Sequence, residues 1–209
     1  MHILAAQSGV IADGSEAVDL AQSAGDIVVL SAADSELAAL ARAQDLLGAD
    51  APSLRLANIM ALGHNLSVDL YMRSPVSGAK LVVVRLLGGA AYWAYGLEQL
   101  EYTCRDNGIG LAVLPGGGEA DPALQARSTL AGEDVEILRC YLAEPGPENV
   151  RNFLKFCGHL VGRGEAPPEA RALLKAGIYW PGLSSPSLGD IRTYWREGRP
   201  LAALTFTGP

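Results

Sequence analysis

Short apolar runs alternate with longer segments of helical periodicity, and this alternation constrains the fold more than any other feature of the chain. The runs are rich in Val, Ile and Leu and cover 2–6, 26–31, 54–59, 80–86, 110–114 and 201–206. Most are continuously apolar, which is typical of strands covered by helices on both faces of a parallel sheet. The pattern predicts an α/β fold: an open, mainly parallel, Rossmann-like or flavodoxin-like sheet with flanking helices and a helical C-terminal half.

Helix signals fall between and after these strands. A first helix is predicted over 34–47, with Asp34 or Ser35 as its cap and Gly48 as its end. The stripe expected to face the sheet consists of Leu37, Leu40, Ala41, Gln44 and Leu47. A second helix is predicted over 89–108. Its side made of Tyr92, Tyr95, Gln99 and Tyr102 is interpreted as core and groove packing.

The predicted elements divide the chain into three parts. An α/β sheet domain is expected over 1–130, and a helical segment packed on it over 131–177, with helices at 133–142, 149–161 and 168–176. Pro167 and Pro168 would initiate the last of these helices. A segment rich in Pro, Gly and aromatic residues follows over 178–209 and leads to the strand at 201–206. Because no helix follows that strand, we expect a piece of a longer protein, truncated near this point.

Composition and charge exclude several classes of protein. With 49% hydrophobic and 19% charged residues, the chain is expected to fold rather than to be disordered. Its formal net charge of −7 is opposite to what nucleic acid or an anionic membrane requires, so neither is expected as a partner. The 3 cysteines lack CxxC spacing, and no signal peptide or membrane-spanning run is visible. These features predict a cytoplasmic location.

No familiar catalytic or metal-binding motif is present in the sequence. The chain lacks a G-x-S-x-G elbow, an H-E-x-x-H helix and a G-x-x-x-x-G-K-[ST] phosphate loop. Cys157 and His159 would lie on different faces of a helix, so we interpret His159 as a core or boundary residue. We therefore expect no catalytic residue, no metal ligand and no bound cofactor in this segment.

A glycine-rich loop follows the strand predicted over 80–86. It contains Arg85, Gly88 and Gly89 and leads into the helix that carries Tyr92. Ligands of open α/β sheets bind at the carboxyl ends of the strands, where glycines let the backbone approach them. The loop is therefore a candidate binding site. Its alternative interpretation is a tight strand-to-helix turn, because the G-x-G-x-x-G fingerprint is absent.

A second glycine-rich loop follows the strand predicted over 110–114. It contains Gly116, Gly117 and Gly118, with Asp121 shortly after. If the two strands are adjacent, the two loops are neighbours and form a crevice for an anion or for the edge of a macrocycle. The alternative interpretation is a mobile surface loop.

His64 is a further candidate binding residue, and it follows the third predicted strand. Asn65, Ser67 and Asp69 come next, but a carboxylate five residues from an imidazole does not have the spacing of a helical metal site. The alternative interpretation is a helix start at which Asn65 or Ser67 satisfies the free backbone donors.

Several stretches taken in series resemble a known family. They read IADGSEAVDLAQSAGDIVVLSAADSELAALA, APSLRLANIMALGHNLSVDLY, AKLVVVRLLGGAAYW, GLAVLPGGGEADPAL and NVRNFLKFCGHLVGRGEAPPEA followed by KAGIYWPG, and together they span roughly residues 1–203. They resemble the amino-terminal region of the large subunit of aerobic, ATP-dependent cobaltochelatase, a relative of the magnesium chelatase large subunit. No single stretch is a mechanistic signature, and their order makes the resemblance specific.

The resemblance implies a role in aerobic cobalamin biosynthesis. Large subunits of this family bind Co²⁺ and the corrin precursor hydrogenobyrinic acid a,c-diamide, while two partner subunits of the AAA+ type hydrolyse ATP with Mg²⁺. The catalytic cavity of related chelatases is assigned to the main body, downstream of this region, so the resemblance carries over no metal ligand and no catalytic base. It implies that this segment alone is inactive and that it covers the substrate cavity or contacts the AAA+ partners.

The two glycine-rich loops and Tyr92 form the expected surface for that role. Arg85 would pair with a corrin carboxylate, and Tyr92, Trp93 or Tyr95 would lie along the ring. Two alternatives stay open at this point. One is a free-standing Rossmann-like module that binds a small anionic ligand at the same loops, and the other is a purely structural or partner-docking domain.

Overall fold

The chain divides into two compact units, Met1–Arg171 and Ala172–Pro209. The computed structural model describes residues 16–48, 51–144, 146–172, 177–183, 186–196 and 198. The strands described in the first unit are β1 (Ile27–Ser31), β2 (Leu54–Asn58), β3 (Leu81–Leu86) and β4 (Gly110–Pro115). The helices described there are α1 (Asp34–Leu47), α2 (Asn65–Tyr71), α3 (Ala94–Asn107), α4 (Pro122–Gln125), α5 (Gly132–Ala143) and α6 (Pro147–Leu160). Ile59–Leu62 and Ala90–Trp93 form 3₁₀ turns, and Met72–Val76 forms a π-helical turn.

The four strands form one parallel sheet in the order β2-β1-β3-β4. Ile27 at the start of β1 is paired with Leu54 on one side and with Leu81 on the other. The predicted α/β fold with a parallel sheet and flanking helices is therefore confirmed. The strands predicted at 2–6 and 201–206 lie outside the described residues.

Each face of the sheet carries its own hydrophobic core. Val82 and Val84 belong to the cluster shared with α2 and α3, whereas Leu81 and Val83 belong to the cluster shared with α1, α5 and α6. Successive side chains of a strand point to opposite faces, so Arg85 lies on the same face as Leu81 and Val83. The alternation thus directs this arginine towards α1.

Helix α1 has the predicted bounds and ends at Gly48, but its N-terminus differs from the prediction. The capping residue is Ala33, which makes no side-chain capping bond, so the prediction of Asp34 or Ser35 as the cap is wrong. Both residues lie inside the helix. Asp34 Oδ1 instead accepts a hydrogen bond of 2.6 Å from Asn58 Nδ2.

The buried faces of the first two predicted helices are narrower than expected. In α1 the buried residues are Leu40 and Ala43, whereas Ala41, one residue and about 100° further round from Leu40, is exposed. The helix predicted over 89–108 is divided into the 3₁₀ turn and α3 because Trp93 adopts a non-helical φ of −142° and ψ of 50°. Tyr92 and Tyr102 are 50% and 68% exposed, so the prediction of core packing is wrong for these two residues. The buried face of α3 consists of Gly96, Leu97, Leu100 and Cys104.

The helix predicted over 168–176 is not present in its described part, residues 168–172. The backbone of Arg171 bonds to the side chain of Asn149 instead: its N–H donates to Oδ1 (2.9 Å), and its carbonyl oxygen accepts from Nδ2 (2.8 Å). The hydroxyl of Tyr141 donates to the carbonyl oxygen of Pro168. Backbone groups that are bound by side chains of α5 and α6 are not available for helical bonds, which explains the difference.

The second unit contains a short helix, α7 (Leu188–Arg192). Ser187 and Asp190 form a reciprocal capping box at its start. The ring centroids of Trp180 and Tyr194 lie 5.6 Å apart within this unit. In neither unit do the described residues include a helix that is long and apolar enough to cross a membrane.

The carboxylate of Asp26 joins several segments at the amino-terminal edge of the sheet. It lies 2.9 Å from Lys80 Nζ, accepts a hydrogen bond of 2.8 Å from the Ser53 hydroxyl and lies 3.6 Å from the Arg163 guanidinium. The bonds from Lys80 and Ser53 lower the pKa of Asp26 to about 2. Because the folded-state pKa lies below the ordinary 3.8, the contacts of the Asp26 carboxylate stabilise the fold fully above pH 4. This stabilisation is lost as the pH falls towards 2.

We expect Asp26→Asn to lower the free energy of unfolding by about 1 kcal/mol at pH 7, because ion pairs with exposed partners are screened by water. The difference from the parent chain should shrink at pH 3, because there the Asp26 carboxyl group of the unfolded chain, with its ordinary pKa of 3.8, is largely protonated. Urea unfolding of both chains at the two pH values measures this. Asp106→Asn, at the exposed end of α3, is the control, and an equal loss in that variant would contradict the role of Asp26.

Candidate functional site

The two glycine-rich loops lie side by side at the carboxyl edge of the sheet. Strands β3 and β4 are adjacent, with Leu86 paired to Pro115, and the N–H of Gly116 donates to the carbonyl oxygen of Leu86 at 2.8 Å. Strand β1 lies between β2 and β3, and the chain leaves β1 for α1 on one face and leaves β3 for α3 on the other. Such a switch point is where open α/β sheets form a crevice.

Arg85 closes the floor of this crevice rather than projecting from it. Its Nη1 forms an ion pair with Glu36 of α1, and its side chain is 15% exposed. Its Nε and Nη2 donate to the carbonyl oxygens of Pro115 and Gly116 at 3.2 and 2.9 Å. One guanidinium therefore holds together the ends of β3 and β4 and the start of α1.

Glu36, the partner of Arg85, was not among the site residues predicted from the sequence. Its side chain is 12% exposed, and burial raises its pKa, an effect that the charge and hydrogen bond of Arg85 oppose. Its Oε1 is buried and has no hydrogen-bond partner among the described residues. The sequence holds one signal for this pair: an arginine at the end of a buried strand needs a nearby carboxylate, and Glu36 lies in the first turn of α1.

The backbone of the second glycine loop is largely occupied by contacts within the chain. Its carbonyl oxygens face cations, since Gly116 accepts from Arg85 and Gly118 accepts from Arg139 Nη1. A Cβ at Gly116 would lie 2.6 Å from Cγ of Leu87, so a larger residue would push the two loops apart. Gly117 has open space around it. These bonds to the carbonyl oxygens of Gly116 and Gly118, together with the bond made by the N–H of Gly116, fix the shape of the turn.

Tyr92 forms the wall of a half-open cavity of about 500 Å³ at the same edge. Gly88 and Gly89 adopt φ values of 91° and 78°, which L side chains rarely adopt. The resulting turn brings the Tyr92 ring close to the backbone: a Cβ added to Gly88 would lie 3.6 Å from Cδ2 of Tyr92. The Tyr92 hydroxyl lies 3.1 Å from Met60 Sδ. The cavity is lined by Ile59, Met60, Leu62, Gly63, Asn65, Val68, Tyr92, Trp93, Ala94, Tyr95 and Gly96.

One wall of this cavity consists of residues predicted from the sequence, and the opposite wall does not. Tyr92 and Tyr95 line it, and the Tyr95 hydroxyl donates to Asp69 Oδ1 at 2.7 Å. The opposite wall comes from the turn Ile59–Leu62, whose Met60 is 55% exposed. A single exposed apolar residue is common and gives no signal in the sequence, so only the fold, which places Met60 against Tyr92, reveals this wall.

His64 and Asp121 both cap helices. Nδ1 of His64 accepts a hydrogen bond of 3.1 Å from the N–H of Leu66, so His64 itself caps α2, and the interpretation that Asn65 or Ser67 does so is wrong. Asp121 Oδ1 accepts from the first backbone donors of α4. His64 lies between two residues that line the cavity, whereas Asp121 does not line it.

His159 and the three cysteines do not line this cavity. His159 is exposed rather than a core or boundary residue, and its Nδ1 lies 3.1 Å from the carbonyl oxygen of Gly164. All three cysteines are free, and burial raises the pKa of Cys104 to about 12. Burial also raises the pKa of Cys157. In the described part of the chain, no three His, Cys, Asp or Glu residues are grouped so that they could hold a metal ion.

Comparisons with known proteins give two curated relatives and one solved structure, while no protein-family model matches. The chain is 47% identical over 209 residues to the aerobic cobaltochelatase subunit CobN of Sinorhizobium sp, covering 100% of the chain and 16% of that protein. It is 37% identical over 207 residues to the subunit of the same name from Pseudomonas aeruginosa, covering 99% of the chain and 16% of that protein. The catalytic subunit of cobaltochelatase from Mycobacterium tuberculosis matches 74% of the chain and 12% of its own length, with a TM-score of 0.58 and 25% identity.

Proposed function

We propose that the chain forms the head region of a cobaltochelatase large subunit, because it belongs to that family and spans 16% of the length of its curated relatives. The complete enzyme would insert Co²⁺ into hydrogenobyrinic acid a,c-diamide in the cytoplasm. Two AAA+-type partner subunits would hydrolyse ATP with Mg²⁺ to drive this step. We assign no catalytic residue and no cobalt ligand to the head region.

The observation that carries the proposal is the aromatic cavity beside Tyr92. A corrin is flat and partly apolar, and aromatic side chains pack well against such surfaces. Tyr92 is 50% exposed and Met60 is 55% exposed, so two large side chains are presented to solvent at the crevice of the sheet. We assign the edge of the corrin to this surface.

The size of the cavity supports a covering role for the head region. Pockets that enclose a drug-sized ligand measure about 300–1,000 Å³. A corrin is larger than such ligands, and a half-open cavity of about 500 Å³ holds only an edge of it. The rest of the site would come from the main body of the subunit. A head that closes over the ring would exclude water during metal insertion.

Within this proposal, Arg85 supports the surface and does not bind the corrin carboxylate. Its guanidinium is already engaged by Glu36 and by two carbonyl oxygens. It holds the two glycine loops in register, and these loops position Tyr92. This role replaces the pairing with substrate that the sequence suggested.

We expect Tyr92→Ala in the complete large subunit to weaken binding of hydrogenobyrinic acid a,c-diamide by about tenfold, since one aromatic contact is worth about 0.5–1.5 kcal/mol beyond the area that it buries. Titration followed by corrin absorbance measures the affinity. Tyr102→Ala is the matched control, because Tyr102 is also exposed but lies on α3 away from the cavity. Equal affinities for the parent and the Tyr92 variant would contradict the assignment of the corrin edge to this cavity.

A further inference from the structure

A second cavity lies on the opposite face of the sheet, between α1 and the start of α6. Its volume is about 630 Å³, and it is half open. The α1–α6 groove, as we call it, is lined by Ala33, Ser35, Glu36, Ala39, Arg42, Ala43, Leu46, Arg85, Tyr141, Leu142, Gly146, Pro147 and Val150. It shares no residue with the cavity beside Tyr92.

The groove follows the axis of α1. Ser35, Ala39, Arg42 and Leu46 recur at helical spacing along its wall. From Ser35 to Leu46 the helix rises about 16 Å, which is about three turns. Leu46 at its far end is 77% exposed, more than any other large hydrophobic residue described in the chain. An apolar channel of this length fits an elongated occupant.

The chemistry of the walls selects a helix over an extended strand. Most of the groove is formed by α1, α5 and α6, whose internal backbone groups bond within each helix. A strand in the groove would leave its own N–H and carbonyl groups without partners on an apolar wall, at a large cost in free energy. A helix satisfies those groups internally and presents an apolar face.

The charges of the groove define the polar part of the occupant. Glu36 and Arg85 are paired with each other at one end. Arg42 is exposed, and no hydrogen bond or ion pair joins it to another described residue. A carboxylate on the occupant would complete a pair with Arg42. The groove therefore fits an amphipathic helix with an acidic residue beside its apolar face.

We propose that the α1–α6 groove is the docking site for an amphipathic, acidic helix from the remainder of the large subunit. This inference rests on the proposed function, which makes the chain a part of a protein about six times its length, since it spans 16% of the relatives. It assigns different tasks to the two faces of the sheet: one meets the corrin edge, and the other anchors the head to the body.

Labelling of a cysteine placed in the groove tests the proposal. Leu46→Cys is introduced into the isolated chain and into the complete large subunit, and its reaction with a maleimide is followed by peptide mass spectrometry. Docking predicts that the reaction is at least about tenfold slower in the complete subunit, because a buried thiol is inaccessible. Adding Arg42→Glu should restore the rate at least about threefold, because the pair with the acidic helix is lost. Arg105→Glu, on the exposed end of α3, is the matched control and should not restore it.

The other outcomes overturn the proposal. Equal rates in the isolated chain and in the complete subunit mean that the groove is open. Slow labelling already in the isolated chain means that a small molecule or another segment of this chain covers it. Protection that does not respond to Arg42→Glu removes the acidic helix as the occupant. No corrin, Co²⁺ or ATP is present, so failure here is distinct from failure of the Tyr92 experiment.

Discussion

Replacing Arg85 with methionine is expected to lower the free energy of unfolding by about 3–5 kcal/mol. Removing one partner of a buried ion pair leaves the other charge uncompensated, and this cost exceeds the value of the pair itself. Glu36 is 12% exposed, and one of its oxygens already lacks a partner. The carbonyl oxygens of Pro115 and Gly116 lose their donor as well. Urea unfolding of the 209-residue chain measures the loss.

A double variant separates the charge from the packing. Combining Arg85→Met with Glu36→Met removes both charges, and we expect it to recover at least about half of the loss, because a buried pair is often replaceable by apolar residues. Arg105→Met, at the exposed end of α3, is the control and should change stability by less than about 0.5 kcal/mol. A loss below about 1 kcal/mol for Arg85→Met would mean that Arg85 does not hold the two loops together.

The sheet was predictable because its strands carry their own signal. A strand that is buried on both faces reads as a continuous apolar run, and residues 81–84 of β3, which precede Arg85, show the pattern clearly. The signal for the end of α1 is equally local, because the positive φ of 59° at that position favours a glycine, Gly48. Elements of this kind depend on neighbouring residues in the sequence.

The candidate site was predictable only in part, because its contacts join distant segments. The rule for parallel sheets places the glycine loops at one edge, and the structure brings them together there. The rule does not reveal that Arg85 is engaged by Glu36, 49 residues earlier in the chain. The exposure of Tyr92 likewise depends on the tertiary fold. The cap provided by His64 was missed for another reason: its bond to the N–H of Leu66 is local, but histidine is not among the preferred capping residues. Local preference was overridden where such partners were available.

The segment that follows α6 shows the same effect, and Asn149 is the residue responsible. This residue is 3% exposed, and its Nδ2 donates to the carbonyl oxygens of Glu144 and Arg171, both at 2.8 Å. Its Oδ1 accepts from the N–H of Arg171 at 2.9 Å. The Pro167-Pro168 pair predicts a helix, but these bonds hold the chain in a non-helical course across α5 and α6.

We expect Asn149→Asp to lower the free energy of unfolding by about 3 kcal/mol at pH 7. The substitution keeps the shape of the side chain but replaces a buried donor of two hydrogen bonds with a carboxylate oxygen that faces two carbonyl oxygens. Burial and these carbonyls raise the pKa of the introduced carboxyl group in the folded state. The loss in the free energy of unfolding is therefore complete above that raised pKa. It declines as the pH falls towards about 4, the pKa of the aspartate in the unfolded chain.

The pH dependence separates this mechanism from a general loss of packing. Urea unfolding at pH 7 and pH 5 should show a smaller difference between variant and parent at pH 5, because the protonated carboxyl group again donates one hydrogen bond. Asn152→Asp, on the same helix and only half-buried, is the control and should show little change with pH. A loss for Asn149→Asp that is the same at both pH values would mean that the lost contacts are apolar. In that case the amide of Asn149 would not be what holds the segment against α5 and α6.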